Sequence, residues 1–252
     1  MSHPLSGHTA LVTGAASGIG RAVAARLADD GAAVLLLDQD EAGAKEAAAE
    51  VGGEHLVADL ADASAIDALD LGDRGIDILV NNAGIQHVAP VEGFDPDRFA
   101  LIHRVMLHAP FLLTRALLPG MYAAGWGRIV HVSSVHGHRA SSFKSAYVSA
   151  KHGLEGLSKV IALEAADKGV TSNTVCPGYV RTPLVEGQIS DQAESHGIAE
   201  DEVLDKVLLA RTPVRRLVEP DEVAGLIAFL CGPGTSSING NSYLMDGGWT
   251  AA

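Results

Sequence analysis

Short runs of Val, Ile and Leu alternate along the chain with longer stretches in which apolar residues recur at helical spacing. Because the short runs are apolar at consecutive positions, they are typical of strands that helices cover on both faces, as in a parallel sheet. The pattern predicts six strands, a seventh near the C-terminus, and four long helices. The strands are 9–13, 32–38, 55–59, 76–82, 127–134, 170–178 and 241–248, and the helices are 18–29, 40–50, 97–118 and 146–167.

The regular alternation of strand and helix predicts an α/β fold, a doubly wound parallel sheet with right-handed crossovers. With 252 residues and 47% hydrophobic content, we expect one domain, residues 1–252. One segment departs from the alternation: residues 183–214 are polar, mostly helical in spacing, and follow the sixth strand. Because ligands bind beyond the carboxyl ends of the strands in such sheets, we predict a lid over a substrate there, with an ordinary surface excursion as the alternative.

The net charge of −13 at pH 7 disfavours nucleic acids and anionic membranes as partners, and no block rich in Lys or Arg is present. No stretch approaches the roughly 20 apolar residues of a membrane span, and the first residues do not have the pattern of a signal peptide. Cys176 and Cys231 lie in unrelated contexts, without the spacing of a disulfide framework or a metal site. We therefore expect a soluble cytoplasmic protein with reduced thiols and no metal.

A glycine-rich turn, TGAASGIG at 13–20, lies between the first strand and the first helix. Gly14 permits a tight turn, Gly18 lets the backbone approach a pyrophosphate, and Gly20 allows close packing of helix on strand. The helix N-terminus adds N–H donors and a positive dipole end. The spacing differs from the dinucleotide fingerprint G-x-G-x-x-G, and a turn without a ligand is the alternative. The position directly after a strand favours a dinucleotide site.

Two carboxylates and an NNAG motif follow the next strands. Asp38 ends the second strand, where a carboxylate accepts from both ribose hydroxyls but repels a 2′-phosphate, so we expect NAD rather than NADP. The first basic residue after it is Lys45. Asp59 follows the third strand and is expected to accept from the adenine amino group, with a helix N-cap as the alternative. NNAG, 81–84, places small side chains where a cofactor passes closely.

Tyr147 and Lys151 are four residues apart and share one face of the predicted helix 146–167. A nearby ammonium favours the phenolate, so the pair is expected to lower the tyrosine pKa toward working pH, as a general acid or base requires. Ser134, at the end of the adjacent strand, can donate to a carbonyl oxygen. With a nicotinamide as hydride carrier, this set predicts ketone reduction or alcohol oxidation.

These motifs together resemble the short-chain dehydrogenase/reductase family along essentially the whole chain, since TGAASGIG, NNAG, Ser134, YVSAK and CPG stand where that family has them. The resemblance implies a Rossmann-type fold with a seven-stranded parallel sheet, usually in a homotetramer. It assigns catalysis to Ser134, Tyr147 and Lys151, with Lys151 also bonded to the nicotinamide ribose. Further residues expected around NAD are Tyr147, Ser17, Ile19, Leu60, Asn82, Ala83, Gly84, Pro177, Gly178, Val180 and Thr182.

One position departs from the family. Met106 stands where the family usually has an asparagine, whose kinked helix turns a backbone carbonyl to a water that relays protons to the lysine. Pro110 lies four residues later and lacks the N–H that would bond the carbonyl of Met106. Our hypothesis is that Pro110 frees this carbonyl and so preserves the relay. The alternative is that the relay is absent and Met106 is a core residue.

Two basic residues near the catalytic set, His136 and Lys144, remain after Lys151 has been assigned. A small anionic substrate would explain them as cations, because a protein of net charge −13 needs local donors to hold a carboxylate. Gln86, just past NNAG, and Gln188, in the predicted lid, complete a donor set. For each residue alone, an ordinary solvated position is the alternative.

Four segments are similar to a branch of the family that oxidises (R)-3-hydroxybutyrate to acetoacetate with NAD: NNAGIQH, SSVHGHRASSFKSAYVSAKHG, CPGYVRTPLVEGQI and DGGWTA. In that branch, the substrate carboxylate is held by residues at the positions of Gln86, His136, Lys144 and Gln188. The branch often has Trp at the position of Tyr179, and Trp249 is a further candidate with packing as its alternative. The other functions considered are an NAD-dependent dehydrogenase of another small hydroxy acid, polyol or sugar acid, and a non-catalytic NAD-binding protein.

Overall fold

The computed structural model describes residues 3–187, 189–190, 193 and 197–251. Seven strands form one sheet in the order β3-β2-β1-β4-β5-β6-β7, and every neighbouring pair is parallel. The doubly wound sheet that the sequence predicts is confirmed, including the strand near the C-terminus. The strands are β1 (Thr9–Thr13), β2 (Ala33–Asp38), β3 (Glu54–Val57), β4 (Ile78–Asn81), β5 (Gly127–Val132), β6 (Val170–Pro177) and β7 (Ser242–Met245).

Helices cover both faces of the sheet, as consecutive apolar positions require. On one face, Val12 of β1 packs with side chains of α1, α2 and α9, and on the other, Leu11 packs with side chains of α5 and α6. Alternate residues of a strand point to opposite faces, so each apolar run supplies two cores. The helices are α1 (Gly18–Asp29), α2 (Glu41–Val51), α3 (Ala63–Asp67), α4 (Pro96–His103), α5 (Ala109–Ala124), α6 (Ser145–Ala165), α7 (Pro183–Glu186), α8 (Glu200–Val203) and α9 (Pro220–Cys231).

The helix predicted at 97–118 is longer and is interrupted by a wider turn. It runs through α4, a π-helical turn at Arg104–His108 and α5. Among the described residues, the helix Pro96–Ala124 is long and apolar enough to span a membrane by length and composition alone, so the expectation that no stretch qualifies is wrong. Half of its most apolar window is buried inside the protein, and Leu113 and Leu117 pack in the core beneath the sheet.

The segment after β6 folds over the end of the sheet where the cofactor turn lies. Its described part contains α7, α8 and a π-helical turn at Leu204–Leu208. Val203 and Leu208 are buried in a small cluster that also contacts Tyr179 and Val185. The predicted helical character of the lid is therefore present in short pieces, and its closure over a substrate stays a prediction.

Candidate active site

A cavity of about 700 Å³ opens at the carboxyl ends of the strands. Its wall includes Ser134, Tyr147 and Lys151 at one end and the glycine-rich turn at the other. The fold therefore brings the predicted cofactor and catalytic residues into one site, with Gly20 behind the wall. The predicted cofactor residues on the wall are Gly14, Ser17, Gly18, Ile19, Asp38, Asp59, Leu60, Asn82, Ala83, Gly84, Pro177, Gly178, Val180 and Thr182.

The glycine-rich turn needs glycine for two separate reasons. Gly14 has a φ of +65°, and a Cβ there would lie 2.8 Å from the Cα of Ala83. A Cβ at Gly20 would lie 2.1 Å from the carbonyl oxygen of Gly14, so only glycine lets α1 begin this close to β1. The turn and the N-terminus of α1 thus form a backbone cradle on the cavity wall, which suits a pyrophosphate.

Thr13 joins the glycine-rich turn to the NNAG motif. Its hydroxyl oxygen accepts from the backbone N–H groups of Asn82 and Ala83, both at 3.0 Å. The Asn82 side-chain amide donates back to the carbonyl oxygens of Thr13 and Gly14 at 2.9 and 3.1 Å. Thr13 was not among the predicted site residues, although a hydroxyl at the last position of the strand TALVT was a signal for it.

Asp38 is held in position by backbone donors. Its carboxylate accepts from the N–H groups of Ala16 and Asp40, each at 3.0 Å, at the edge of the cavity. Asp59 also lies on the cavity wall, where it accepts from the N–H of Ala61 at 2.8 Å. The N-cap of α3 is Asp62, so the N-cap alternative for Asp59 is wrong. Both carboxylates lie on the cavity wall, and their contacts with an adenosine stay a prediction.

The catalytic candidates are packed together on the cavity wall, where Tyr147 is partly exposed. Ser134 and Lys151 are buried, and the Lys151 Nζ donates to the carbonyl oxygen of Val132 at 2.6 Å. The same Nζ lies 5.6 Å from the centroid of the Tyr147 ring. Ser134 caps the short turn that follows β5, since its Oγ accepts from the N–H of His136 at 3.2 Å. The serine is thereby fixed beside the tyrosine.

Burial dominates the proton affinities of the catalytic pair. It raises the pKa of Tyr147 to about 12, against the opposing effect of a hydrogen bond with Ser134. It lowers the pKa of Lys151 to about 8, against the raising effects of Cys176 and Glu155. The expected lowering of the Tyr147 pKa by Lys151 is therefore wrong for the protein without cofactor. Desolvation disfavours the phenolate more than its polar neighbours favour it.

Met106 lies in the π-helical turn between α4 and α5. The N–H of Ala109 bonds to the carbonyl of Arg104, five residues earlier, so the helix departs from α geometry around Met106. The Met106 side chain is buried against Ala146 and Ala150 of α6. The freeing of the Met106 carbonyl by Pro110, and the relay through that carbonyl, stay predictions.

Lys144 lies at the start of α6 and is only 4% exposed. Its Nζ is 5.3 Å from the centroid of the Tyr179 ring, and burial lowers its pKa to about 8. Among the described residues, no carboxylate lies within ion-pair distance of this ammonium. The preceding residue, Phe143, has a φ of +67°, a strained conformation whose carbonyl accepts from the N–H of Ala89 at 3.0 Å.

His136 is not the cation that the sequence analysis expected. Burial, with a further contribution from Lys144, lowers its pKa to about 3, so the imidazole is neutral at physiological pH. Its ring nitrogens lie 2.9 Å from the Ser141 Oγ and 3.4 Å from the Ser134 Oγ. The ring stacks on Trp249 with centroids 6.0 Å apart. A neutral imidazole still offers one N–H donor.

Two further predicted substrate residues can be located, and one cannot. Gln86 lies on the cavity wall, and its Nε2 is buried without a hydrogen-bond partner among the described residues. Trp249 is brought to His136 by a turn in which the Asp246 carboxylate accepts from the N–H groups of Gly248 and Thr250. Gln188 lies outside the described residues.

Comparison with known proteins agrees with this geometry. The family profile described as "Enoyl-(Acyl carrier protein) reductase" matches residues 14–250. A relative from Rhizobium meliloti (strain 1021), named D-beta-hydroxybutyrate dehydrogenase, is 45% identical over 254 residues, covering 96% of this chain and 98% of the relative. A relative of the same name from Cupriavidus necator is 43% identical over 258 residues, covering 98% of this chain and 99% of the relative.

Solved structures give the same result. A structure described as a "putative NAD(P) dependent gluconate 5-dehydrogenase" from Beutenbergia cavernae, with bound NADP, superposes with a TM-score of 0.92 and 36% identity over 100% of both chains. Another, described as a short chain dehydrogenase/reductase family protein, has a TM-score of 0.88 and 33% identity over 99% of this chain and 100% of that chain. The chain therefore belongs to the short-chain dehydrogenase/reductase family and is a nicotinamide-dependent oxidoreductase.

Proposed function

We propose that this enzyme oxidises (R)-3-hydroxybutyrate to acetoacetate with NAD, in a reversible reaction. The observation that carries the proposal is the ammonium of Lys144, which is 4% exposed and has no carboxylate partner among the described residues. Two relatives that match nearly the whole chain bear the name D-beta-hydroxybutyrate dehydrogenase, which supports the same substrate.

A buried ammonium without a counter-ion suits an anionic ligand. Taking a charge out of water is costly, and an opposite charge brought by the substrate offsets that cost only when it binds. The net charge of −13 repels small anions at long range, so a carboxylate substrate needs such a local partner. A neutral alcohol would leave Lys144 uncompensated. The site therefore favours a hydroxy acid over a simple alcohol.

Neutral donors are part of the proposed carboxylate site, together with Lys144. The Gln86 Nε2 is buried without a partner among the described residues, and a bound carboxylate would give it an acceptor. His136 lies between Ser134 and Trp249 and is neutral, so it offers an N–H rather than a charge, and this N–H must leave Ser141 or Ser134 to reach the substrate. One charged and two neutral donors match the several lone pairs of a single carboxylate. A participation of Gln188 in this set is part of the proposal and rests on the sequence alone.

The chemistry takes place at the other end of the substrate. Tyr147 removes the hydroxyl proton, and Ser134 orients the same oxygen by a hydrogen bond. A nicotinamide held by the glycine-rich turn and Asp38 would supply the hydride acceptor for the carbon that carries this hydroxyl. Lys151 remains close enough to the Tyr147 ring to stabilise the phenolate as the proton leaves. Fixing the carboxylate at a distance holds the reacting carbon in register with these groups.

The choice of NAD over NADP is part of the proposal. The Asp38 carboxylate stands where the ribose hydroxyls of adenosine would bind, and a 2′-phosphate there would meet a negative charge. Arg21 of α1 is committed to Glu46 and Glu50, at 2.8 and 2.5 Å, and is therefore engaged away from a phosphate. The Beutenbergia cavernae neighbour is described with bound NADP, so the preference of this chain needs its own measurement.

The experiment follows the appearance of NADH absorbance with (R)-3-hydroxybutyrate, the (S) enantiomer and neutral (R)-2-butanol, each offered with NAD or NADP. Turnover of the (R) acid with NAD that exceeds every other combination would support the proposal. Comparable rates on the acid and on (R)-2-butanol would contradict the carboxylate site. A faster reaction with NADP would contradict the role of Asp38.

A sugar acid is the second candidate, because the Beutenbergia cavernae neighbour bears the name of a gluconate 5-dehydrogenase. Such a substrate also carries a carboxylate and would use Lys144. It is longer than 3-hydroxybutyrate, and the rings of Tyr179 and Trp249 lie against Lys144 and His136 where the extra carbons would need room. Turnover of D-gluconate above that of (R)-3-hydroxybutyrate in the same assay would favour this alternative.

We also propose that the enzyme is a homotetramer. Exposed apolar side chains on α5 and α6 support an interface there, with Phe111 44%, Val160 51% and Leu163 82% exposed. Isolated apolar residues on a surface are common, but three on two neighbouring helices indicate a contact face. Sedimentation equilibrium of the purified protein tests the proposal, and a monomer at micromolar concentration would contradict it.

A further inference from the structure

A second cluster of chemically capable side chains lies behind the catalytic residues. Glu155 is one helical turn beyond Lys151 on α6 and is 4% exposed, and the proposed reaction does not use it. It faces Cys176, near the end of β6, and His138, in the loop after β5. These residues come from three separate elements, so only the folded chain brings them together.

The three side chains are already spaced like metal ligands. The Cys176 Sγ is 3.3 Å from the Glu155 Oε1, the His138 Nε2 is 3.6 Å from the Sγ, and the same nitrogen is 3.7 Å from the Glu155 Oε2. A tetrahedral zinc ion with bonds of about 2.0–2.3 Å holds its ligand atoms roughly 3.3–3.6 Å apart. The 3.3 and 3.7 Å contacts involve different oxygens of Glu155, so the carboxylate must turn for one oxygen to face the ion. One ligand atom from each residue lies within 4.8 Å of the other two.

The carboxylate is fixed from behind. The Glu155 Oε2 accepts from the Thr174 Oγ1 at 2.8 Å and from the Ser242 Oγ at 2.5 Å. These two hydroxyls orient the carboxylate and leave the Oε1 directed at Cys176. Such outer hydrogen bonds to a ligating carboxylate are typical of metal sites, where they hold the ligand in its binding geometry.

Access and charge also suit a cation. Glu155 and Cys176 are buried, whereas the His138 side chain is 31% exposed and lies at the solvent side of the group. An ion would enter past His138 and keep a water in the fourth position. The net charge of −13 attracts cations to the protein at long range.

We propose that His138, Glu155 and Cys176 form a binding site for a thiophilic divalent cation such as Zn²⁺. Thiolate, imidazole and carboxylate are the ligands that zinc takes in proteins. As the bond between the metal and the Cys176 Sγ forms, the thiol releases its proton to solvent. The site depends on the fold and not on the identity of the substrate.

The test is a titration of tag-free, chelator-treated protein with Zn²⁺ in competition with a chromogenic chelator. We expect one ion per chain in the wild type and binding at least tenfold weaker in C176S and H138A. C231S is the matched control, because it changes a buried cysteine that is not part of this group. It is expected to bind as the wild type does.

Cobalt gives a second, spectroscopic readout. Co²⁺ should produce a thiolate charge-transfer band in the near ultraviolet with the wild type and C231S, and no such band with C176S. Circular dichroism and a thermal melt verify that each variant is folded. Wild-type protein without one tight Zn²⁺ site, or an affinity unchanged in folded C176S or in H138A, would overturn the proposal.

Discussion

The ammonium of Lys144 lies 5.3 Å from the centroid of the Tyr179 ring, and the lysine is only 4% exposed. The ring attracts the cation but does not neutralise it. No carboxylate of the described residues pairs with this buried cation, and under the proposed function the substrate carboxylate takes that place. The predictions below test the two ends of this site and the cofactor.

Removing the phenolic hydroxyl with Tyr147→Phe should abolish the general base. We expect kcat to fall by roughly 10² to 10⁴, the usual contribution of such a group. NAD affinity should change by less than about threefold on the same argument, because the ring remains and the hydroxyl acts on the substrate oxygen. Initial rates and quenching of protein fluorescence by NADH measure the two quantities. A kcat within tenfold of the wild type would show that another group takes the proton.

The affinity for the acid substrate should depend on pH through Lys144. Burial lowers the pKa of this residue to about 8, so the charge is present below pH 8 and is lost as the pH rises above it. The carboxylate binds only the charged form, so kcat/KM for (R)-3-hydroxybutyrate relative to (R)-2-butanol should fall between pH 8 and pH 10. The ratio of the two substrates cancels the titration of Tyr147 and Lys151. A ratio that stays flat over this range would contradict the role of Lys144.

Replacing the carboxylate at the end of β2 should change cofactor choice. Asp38→Asn removes the charge that repels a 2′-phosphate and weakens the bonds to the ribose, so kcat/KM should fall about tenfold for NAD and fall less, or rise, for NADP. Asp59→Asn is the matched control, because it should weaken both cofactors alike. Equal losses for NAD and NADP in Asp38→Asn would contradict the assignment.

The proton relay through the Met106 carbonyl can be tested by replacing either of two prolines in the same helix. Pro110→Ala returns the N–H that bonds the Met106 carbonyl, so kcat should fall severalfold while KM for NAD stays unchanged. Pro119→Ala is the matched control, because Pro119 is a second proline inside α5 and lies two further turns from the π-helical turn. Equal kcat values in the two variants would leave Met106 as a core residue without a relay.

The sequence predicts most of the fold because its signals are local. Runs such as residues 9–13 and 127–134 carry apolar residues on both faces, as strands of a covered parallel sheet do. The position of the glycine-rich turn could also be predicted from the sequence, because Gly14 and Gly20 stand where no side chain fits. The π-helical turn at Arg104–His108 was not predicted, although the absence of an N–H at Pro110 pointed to a local disturbance there.

Quantities that depend on burial were predicted less well. The sequence shows His136 as a basic residue, but only the fold shows that it is buried and neutral. The spacing of Tyr147 and Lys151 predicts that the ammonium lowers the tyrosine pKa. It does not show that burial of the tyrosine raises this pKa by more. His138, Glu155 and Cys176 are far apart in the sequence and match no metal-binding motif, so the sequence predicted no metal site. The proposed zinc titration tests that expectation.

The most direct test of the account compares Lys144→Met with Lys159→Met, which changes an exposed lysine on the same helix. We expect Lys144→Met to lower kcat/KM for (R)-3-hydroxybutyrate by about 30-fold or more, the effect of losing roughly 2 kcal/mol of a buried charge pair. The same variant should leave (R)-2-butanol oxidation within about threefold of the wild type, and Lys159→Met should change neither, because exposed charges contribute little. Equal losses on the acid and the alcohol in Lys144→Met, or no loss on either, would contradict the carboxylate site.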